Sequence, residues 1–461
     1  TTGSPFAMGP SRVNPTTGEI LDADIVMDDS YVRFMLEESG IYGGAAARSL
    51  MDDPKLEKFL AANPKLDPFT RMGEMMKGVA PEVELSPLRN PKMIELMEKR
   101  GRRLCTYAAG KSRQMALAHV ISWIQNGAGA GGKVSAEFIG EFIKETVMHE
   151  VGHTLGLRHN FKGSCWRSLE EINAKERPQD TSGSVMDYNP TNWVVKGKDQ
   201  GHYAMTALGP YDFWAIEFGY RTQAPPAKEG ETAPTDEAGM LKQVLARVAE
   251  NGLAYATDEE TSFLDPDPLT NRWDLGSDPI AFARHRTELV NELMKDLVTK
   301  VVPDGEDLHL AKKAFNALLF ERMYASLTAI RFVGGQYVHR DHKGDANARA
   351  PFVIVPAAKQ REALQFTFEN LYGENAFAFD PALLNHLAPG RWMHWDSDEA
   401  DFRLDYPIHD QINRFQTISL SLLLNPWTLH RVHDAELKVP AGEDAMTVAE
   451  IFRACARRSG A

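Results

Sequence analysis

His149-Glu150-Val151-Gly152-His153-Thr154-Leu155-Gly156-Leu157-Arg158-His159 decides how this 461-residue chain is read. Upstream of it Phe138, Ile139, Phe142, Ile143 and Val147 recur at three- and four-residue steps, which predicts one helix over residues 136–155. On that helix His149 and His153 are one turn apart and project from the same face, so two imidazoles can hold one metal ion. Glu150 is offset by one position and reaches beside the ion, where a base takes a proton from water. Gly156 is placed to end the helix with positive φ. The turn returns His159 as third ligand. Three imidazoles, a neighbouring carboxylate and a fourth position left to water form the donor set of a catalytic zinc ion, whereas a structural zinc takes four protein ligands. With 14 histidines in the chain, such a match arises by chance in roughly one chain in ten thousand. A helix that merely carries surface or core histidines is therefore the weaker reading.

A second segment, Ser184-Val185-Met186-Asp187-Tyr188, resembles the Met-turn of the metzincin metallopeptidases, in which a Met side chain lies beneath the zinc ligands. Alone, Met186 would read as core filler. Tyr188 stands two residues later, where astacins and serralysins carry a Tyr that ligates zinc or hydrogen-bonds the transition state; a packed tyrosine is the equal alternative. Leu208 to Ile216 looks like the helix that follows this turn in metzincins. Residues 9–25, Glu145-Thr146-Val147-Met148, Ala350-Pro351-Phe352 and Pro356 to Glu362 resemble one subgroup, large bacterial zinc-dependent metalloproteases with a Met-zincin domain. The resemblance implies a secreted, periplasmic or cell-envelope location. Members of that subgroup have a signal peptide and further N-terminal domains, so this chain reads as a fragment or a processed piece.

The resemblance and the helical periodicity together predict an α+β fold. A metzincin-like catalytic domain with an incomplete N-terminal sheet spans 1–222, a connector 223–238, and a mainly helical domain 239–461. Before residue 222, Ile20 to Met27 reads as a strand, Tyr31 to Glu38 and Pro91 to Arg100 as helices, and Gln114 to Gln125 as an apolar helix. Ala224 to Pro234 reads as a solvated connector. Beyond it, helices are predicted at 241–249, 280–301, 308–328, 357–371, 408–424 and 448–455. No strand-length segment is evident before Ile20, so its partner strands are expected from an upstream segment or a companion chain.

A formal charge of −13 with both signs dispersed argues against a nucleic-acid partner. No apolar run is long enough to span a bilayer. Cys105 and Cys165 could pair in an oxidising compartment, but buried thiols at 105, 165 and 455 are the favoured reading. Gly127 to Lys133 nearly matches a phosphate-binding loop, yet Val134 replaces the Mg-binding hydroxyl and a helix precedes it. Asp265, Asp267, Asp274 and Asp278 are compatible with calcium, but the prolines among them suit an ordinary acidic loop and calcium is not predicted. His339, Asp341 and His342 read as loop polarity.

The function expected is a zinc endopeptidase, with His149, His153 and His159 as ligands, Glu150 as general base and Met186 beneath. A protein or peptide substrate would lie along the Ile20–Met27 strand, touching Ile20, Asp22 and Asp24. Two other readings stay open: a catalytically silent, zinc-braced binding protein, and an interaction protein whose helical half docks a partner.

Overall fold

The computed structural model describes residues 7–27, 107–126, 134–222, 236–345, 347–390 and 404–458. The helices expected at 31–38 and 91–100, the glycine loop 127–133, the connector 224–234 and Cys105 lie outside them. Among the described residues the architecture is α+β, dominated by helices, with three short two-stranded antiparallel ladders.

The ligand helix runs Ala136–Thr154. Ser135 caps it, its hydroxyl accepting from Phe138 N at 3.0 Å, and Glu137 adds negative charge to the first turn. It ends in a Schellman arrangement: Leu157 N donates to Gly152 O and Gly156 N to His153 O, both at 3.0 Å. Gly156 takes φ +86, as the turn demands of it. The buried face carries Phe138, Phe142, Glu145, His149 and Gly152, the three- and four-residue rhythm of a helix laid on a core.

Beneath that face lies helix Tyr107–Asn126, longer than the predicted 114–125. It contributes Met115, Leu117, Ile121 and Ile124 to the largest apolar core, beside Phe138 and Phe142 of the ligand helix. The same core continues through helices Pro279–Met294, His309–Ile330, Ala357–Leu371 and Ile408–Leu423. The core therefore runs across the division expected near residue 222. His309–Ile330 is buried on nearly every side, from Ala311 to Ile330, which makes it the central helix of the downstream half. The helix predicted over 280–301 is interrupted, because Asp296 leaves helical geometry at φ −114, ψ 15 and a short helix, Leu297–Val301, follows. Helix Pro426–Lys438 was not anticipated, although Asn425 as cap with Pro426 at the first position is a start signal. Among the described residues no helix is long and apolar enough to cross a membrane.

The N-terminal strand needs correction. Residues 20–27 are two strands, Ile20–Ala23 and Val26–Met27. The chain itself supplies their partners: Ser11–Val13 pairs with Ile20–Ala23, and Ala7–Met8 with Val26–Met27. These strands have two or three residues, too few for alternation to show in sequence. A turn through Pro15-Thr16-Thr17-Gly18, with Gly18 at φ +75, closes the hairpin. Arg12 and Asp22 pair across it.

Candidate metal centre

His149, His153 and His159 come together with one nitrogen from each within 4.8 Å of the others. Each ring is oriented through Nδ1. His149 Nδ1 lies 2.7 Å from Val185 O, His153 Nδ1 lies 3.0 Å from Leu157 O, and His159 Nδ1 lies 2.9 and 3.0 Å from the two carboxylate oxygens of Asp258. A carbonyl or an ionised carboxylate only accepts, so Nδ1 is the donating nitrogen, and Nε2 is the one that offers a lone pair when the ring is neutral. His153 Nε2 is buried with no hydrogen-bond partner among the described residues. A buried nitrogen left in that state is costly unless it meets a cation. Three neutral imidazoles that present Nε2 from a helix and its following turn suit zinc. Glu150, next along the helix, is buried, as are His149 and His159, while His153 is partly buried. Among the described residues this is the one group of three His, Cys, Asp or Glu side chains close enough to share an ion.

Met186 lies directly under the ligand helix. A Cβ placed on Gly152 would stand 2.2 Å from Met186 Sδ, so only glycine permits the approach. The turn is held by the buried Asp212, which accepts from Ser184 Oγ (2.7 Å), Val185 N (3.0 Å) and Gly209 N (2.8 Å). Burial pushes the Asp212 carboxyl up, and these donors work against that rise. Because Val185 O holds His149, Asp212 acts at one remove on the first ligand.

Tyr188 is buried, edge-on to His159 with ring centroids 4.9 Å apart, and packs against Phe161 and Trp273. Tyr107 stacks flat on His149, centroids 3.9 Å apart and planes 3° from parallel. On the same helices, Lys111 and Glu145 form a fully buried ion pair one turn before His149. Glu145 also accepts from Asn189 Nδ2 at 3.2 Å. Burial pulls the Lys111 ammonium below its ordinary range despite the neighbouring carboxylate.

Asp258 and Lys111 were not singled out from sequence. Asp258 is 99 residues from His159, and no spacing rule links them. Burial opposes its charge, but the His159 hydrogen bond, with Arg272 and Arg158 nearby, holds its carboxyl below the usual carboxylate range. Ile20, Asp22 and Asp24 fall on the outer hairpin, where Asp22 is occupied by Arg12. Gly9 lies against the ligand helix: a Cβ there would meet Glu150 O at 2.3 Å. Cys165 is a free thiol that donates to Leu269 O. The acidic loop residues are engaged with separate partners: Asp267 with Lys162, Asp274 with Asn271, Asp278 with Lys359. Asp341 clamps Arg349.

A cavity of about 470 Å³ adjoins the ligand turn, walled by Leu157, Arg158, Tyr211, Phe218, Tyr255 and Arg340 among others. The three histidines are not part of its wall, so it lies beside the centre without containing it.

Residues 131–458 match the family model described as Met-zincin, and residues 96–160 match one described as Metallo-peptidase family M12B Reprolysin-like. No curated protein and no solved structure matches the chain. The first match covers more than two thirds of the sequence and contains all three histidines, Glu150 and Met186. The chain belongs to the Met-zincin family of zinc metallopeptidases.

Proposed function

We propose that the protein is a zinc endopeptidase in which His149, His153 and His159 hold the ion and Glu150 is the general base. The observation that carries this reading is the convergence of three Nδ1-anchored imidazoles on one point with Glu150 buried beside them. When bound, zinc supplies Lewis-acid activation of water and of the scissile carbonyl. Glu150 takes the proton of the attacking water and returns it to the leaving amine. Its carboxylate is fixed by the helix that fixes His149 and His153, so base and ligands share one rigid frame. Tyr188 contributes its ring to the wall around His159, with its hydroxyl as a second donor for the developing oxyanion. A peptide segment reaches the centre past the hairpin of residues 7–27, which touches the helix at Glu150. Protein or peptide substrates outside the cytoplasm are part of the same proposal.

Glu150→Gln tests it. Hydrolysis of casein or a peptide library should fall at least about a hundredfold, the scale of lost general-base catalysis, with zinc content unchanged. Unchanged turnover removes Glu150 from the mechanism. Tight zinc without any cleavage by the unaltered chain favours a zinc-braced binding protein instead.

A further inference from the structure

Two of the three ligands are anchored by backbone carbonyls, but His159 is anchored by a charged side chain from far downstream. Both oxygens of Asp258 lie within hydrogen-bond distance of His159 Nδ1. The Asp258 side chain is only 14% exposed and sits between Arg158 at 3.6 Å and Arg272 at 3.7 Å. Thr257 Oγ1 adds a contact at 3.4 Å. The segment that carries it is sewn to the ligand loop. Phe161 N donates to Ala256 O at 2.8 Å, Asn160 Nδ2 to Ala254 O at 3.0 Å, and Asn271 N to Phe161 O at 3.2 Å. Trp273 N donates to Tyr188 O at 2.9 Å. Of the two acids that follow, Glu259 shares Arg158 and Glu260 takes Arg340, both near the surface and neither on a ligating histidine.

A carboxylate on the outer N–H of a ligating imidazole fixes the ring and its tautomer, and strengthens the inner nitrogen as a donor. We propose that Asp258 is a positioning residue of the metal centre, and that the downstream half of the chain thereby completes the third ligand. This rests on the zinc reading above. It adds that one imidazole of the three is supported by charge rather than by a neutral carbonyl, so His159 is the ligand whose grip on the ion depends on a remote segment.

The test uses the full chain with Asp258→Ala, Asp258→Asn, Asp258→Glu and, as control, Glu259→Ala. Zinc affinity is read by competition with a chromophoric chelator, and ligand geometry by the visible spectrum of the Co2+-loaded protein. Melting of the metal-free proteins reports folding separately. Asp258→Ala should weaken zinc roughly ten- to a hundredfold and shift the Co2+ spectrum. Asp258→Glu should recover most of both, and Glu259→Ala should bind as the unaltered chain does. If Asp258→Ala fails to fold, the isosteric Asn variant carries the test through loss of charge alone. Zinc held within twofold by the folded Ala or Asn variant, with an unchanged Co2+ spectrum, overturns the proposal. So does an equal loss in Glu259→Ala. An unaltered chain that binds no zinc sinks the metal-centre reading itself, a different outcome from tight zinc that ignores Asp258.

Discussion

Gly152→Ala makes the contact between the ligand helix and Met186 measurable. The added Cβ would stand 2.2 Å from Met186 Sδ, 3.4 Å from its Cε and 3.6 Å from its Cγ. Non-bonded heavy atoms settle at about 3.5–4.0 Å, so the sulfur must retreat by roughly 1.5 Å. Met186 is fully buried among Val185, Met205, Met148 and Leu157, which leaves it little room. Overpacking of this kind costs about 1–3 kcal/mol. Alanine recovers about 1 kcal/mol over glycine inside a helix, so the net loss is up to about 2 kcal/mol. Met186→Ala alone should cost about 2–5 kcal/mol. With the sulfur gone the obstruction is gone, and Gly152→Ala in that background should stabilise by about 1 kcal/mol. The predicted signature is a reversal of sign, with a coupling energy of about 1–3 kcal/mol. Denaturant unfolding of the four metal-free proteins measures it. Equal effects of Gly152→Ala in both backgrounds would refute the account of glycine at 152.

Two further outcomes are expected. Lys111→Met should destabilise by about 3–5 kcal/mol by stranding the Glu145 carboxylate in the core, and adding Glu145→Gln should restore part of the loss; a neutral Lys111→Met in thermal unfolding would show that Glu145 needs no cation. Burial pushes the Asp274 carboxyl from 3.8 up to about 6, against the hydrogen bond from Asn271 and the charge of Arg331. A carboxyl whose folded pKa is raised keeps its proton longer in the folded state, so its effect on stability is absent below about pH 4 and turns unfavourable as pH rises to about 6. Relative to Asp274→Asn, the unaltered protein should therefore lose about 2–3 kcal/mol across that window; parallel stability curves for the two proteins from pH 4 to 7 would contradict it.

The ligand helix was legible because apolar spacing, the histidine spacing and Gly156 all point the same way. Met186 was legible only because a zinc motif preceded it; nothing local distinguishes it from core methionine. Apart from Pro426–Lys438, the longer downstream helices were legible by periodicity, and their joint core with Phe138 and Phe142 was not, since an amphipathic face does not name its partner. The hairpin of residues 7–27 escaped because strands of two to four residues are fixed by a turn and a cross-strand ion pair, Arg12 with Asp22, rather than by alternation. Asp258 and Lys111 escaped for a related reason. Each is one charged residue among many, and only the folded chain shows which of them meets a buried counterpart.

The 99-residue gap between His159 and Asp258 is also an interval of time. A ribosome adds about 5–20 residues per second, so Asp258 leaves it roughly 5–20 s after His159. Through that interval the nascent chain carries all three imidazoles and Glu150 without the carboxylate on His159, without Arg272 and without Trp273 against Tyr188. A metal centre whose third histidine is held by Asp258 waits for residue 258 to leave the ribosome, while the core helices from Pro279 onward are still to be made.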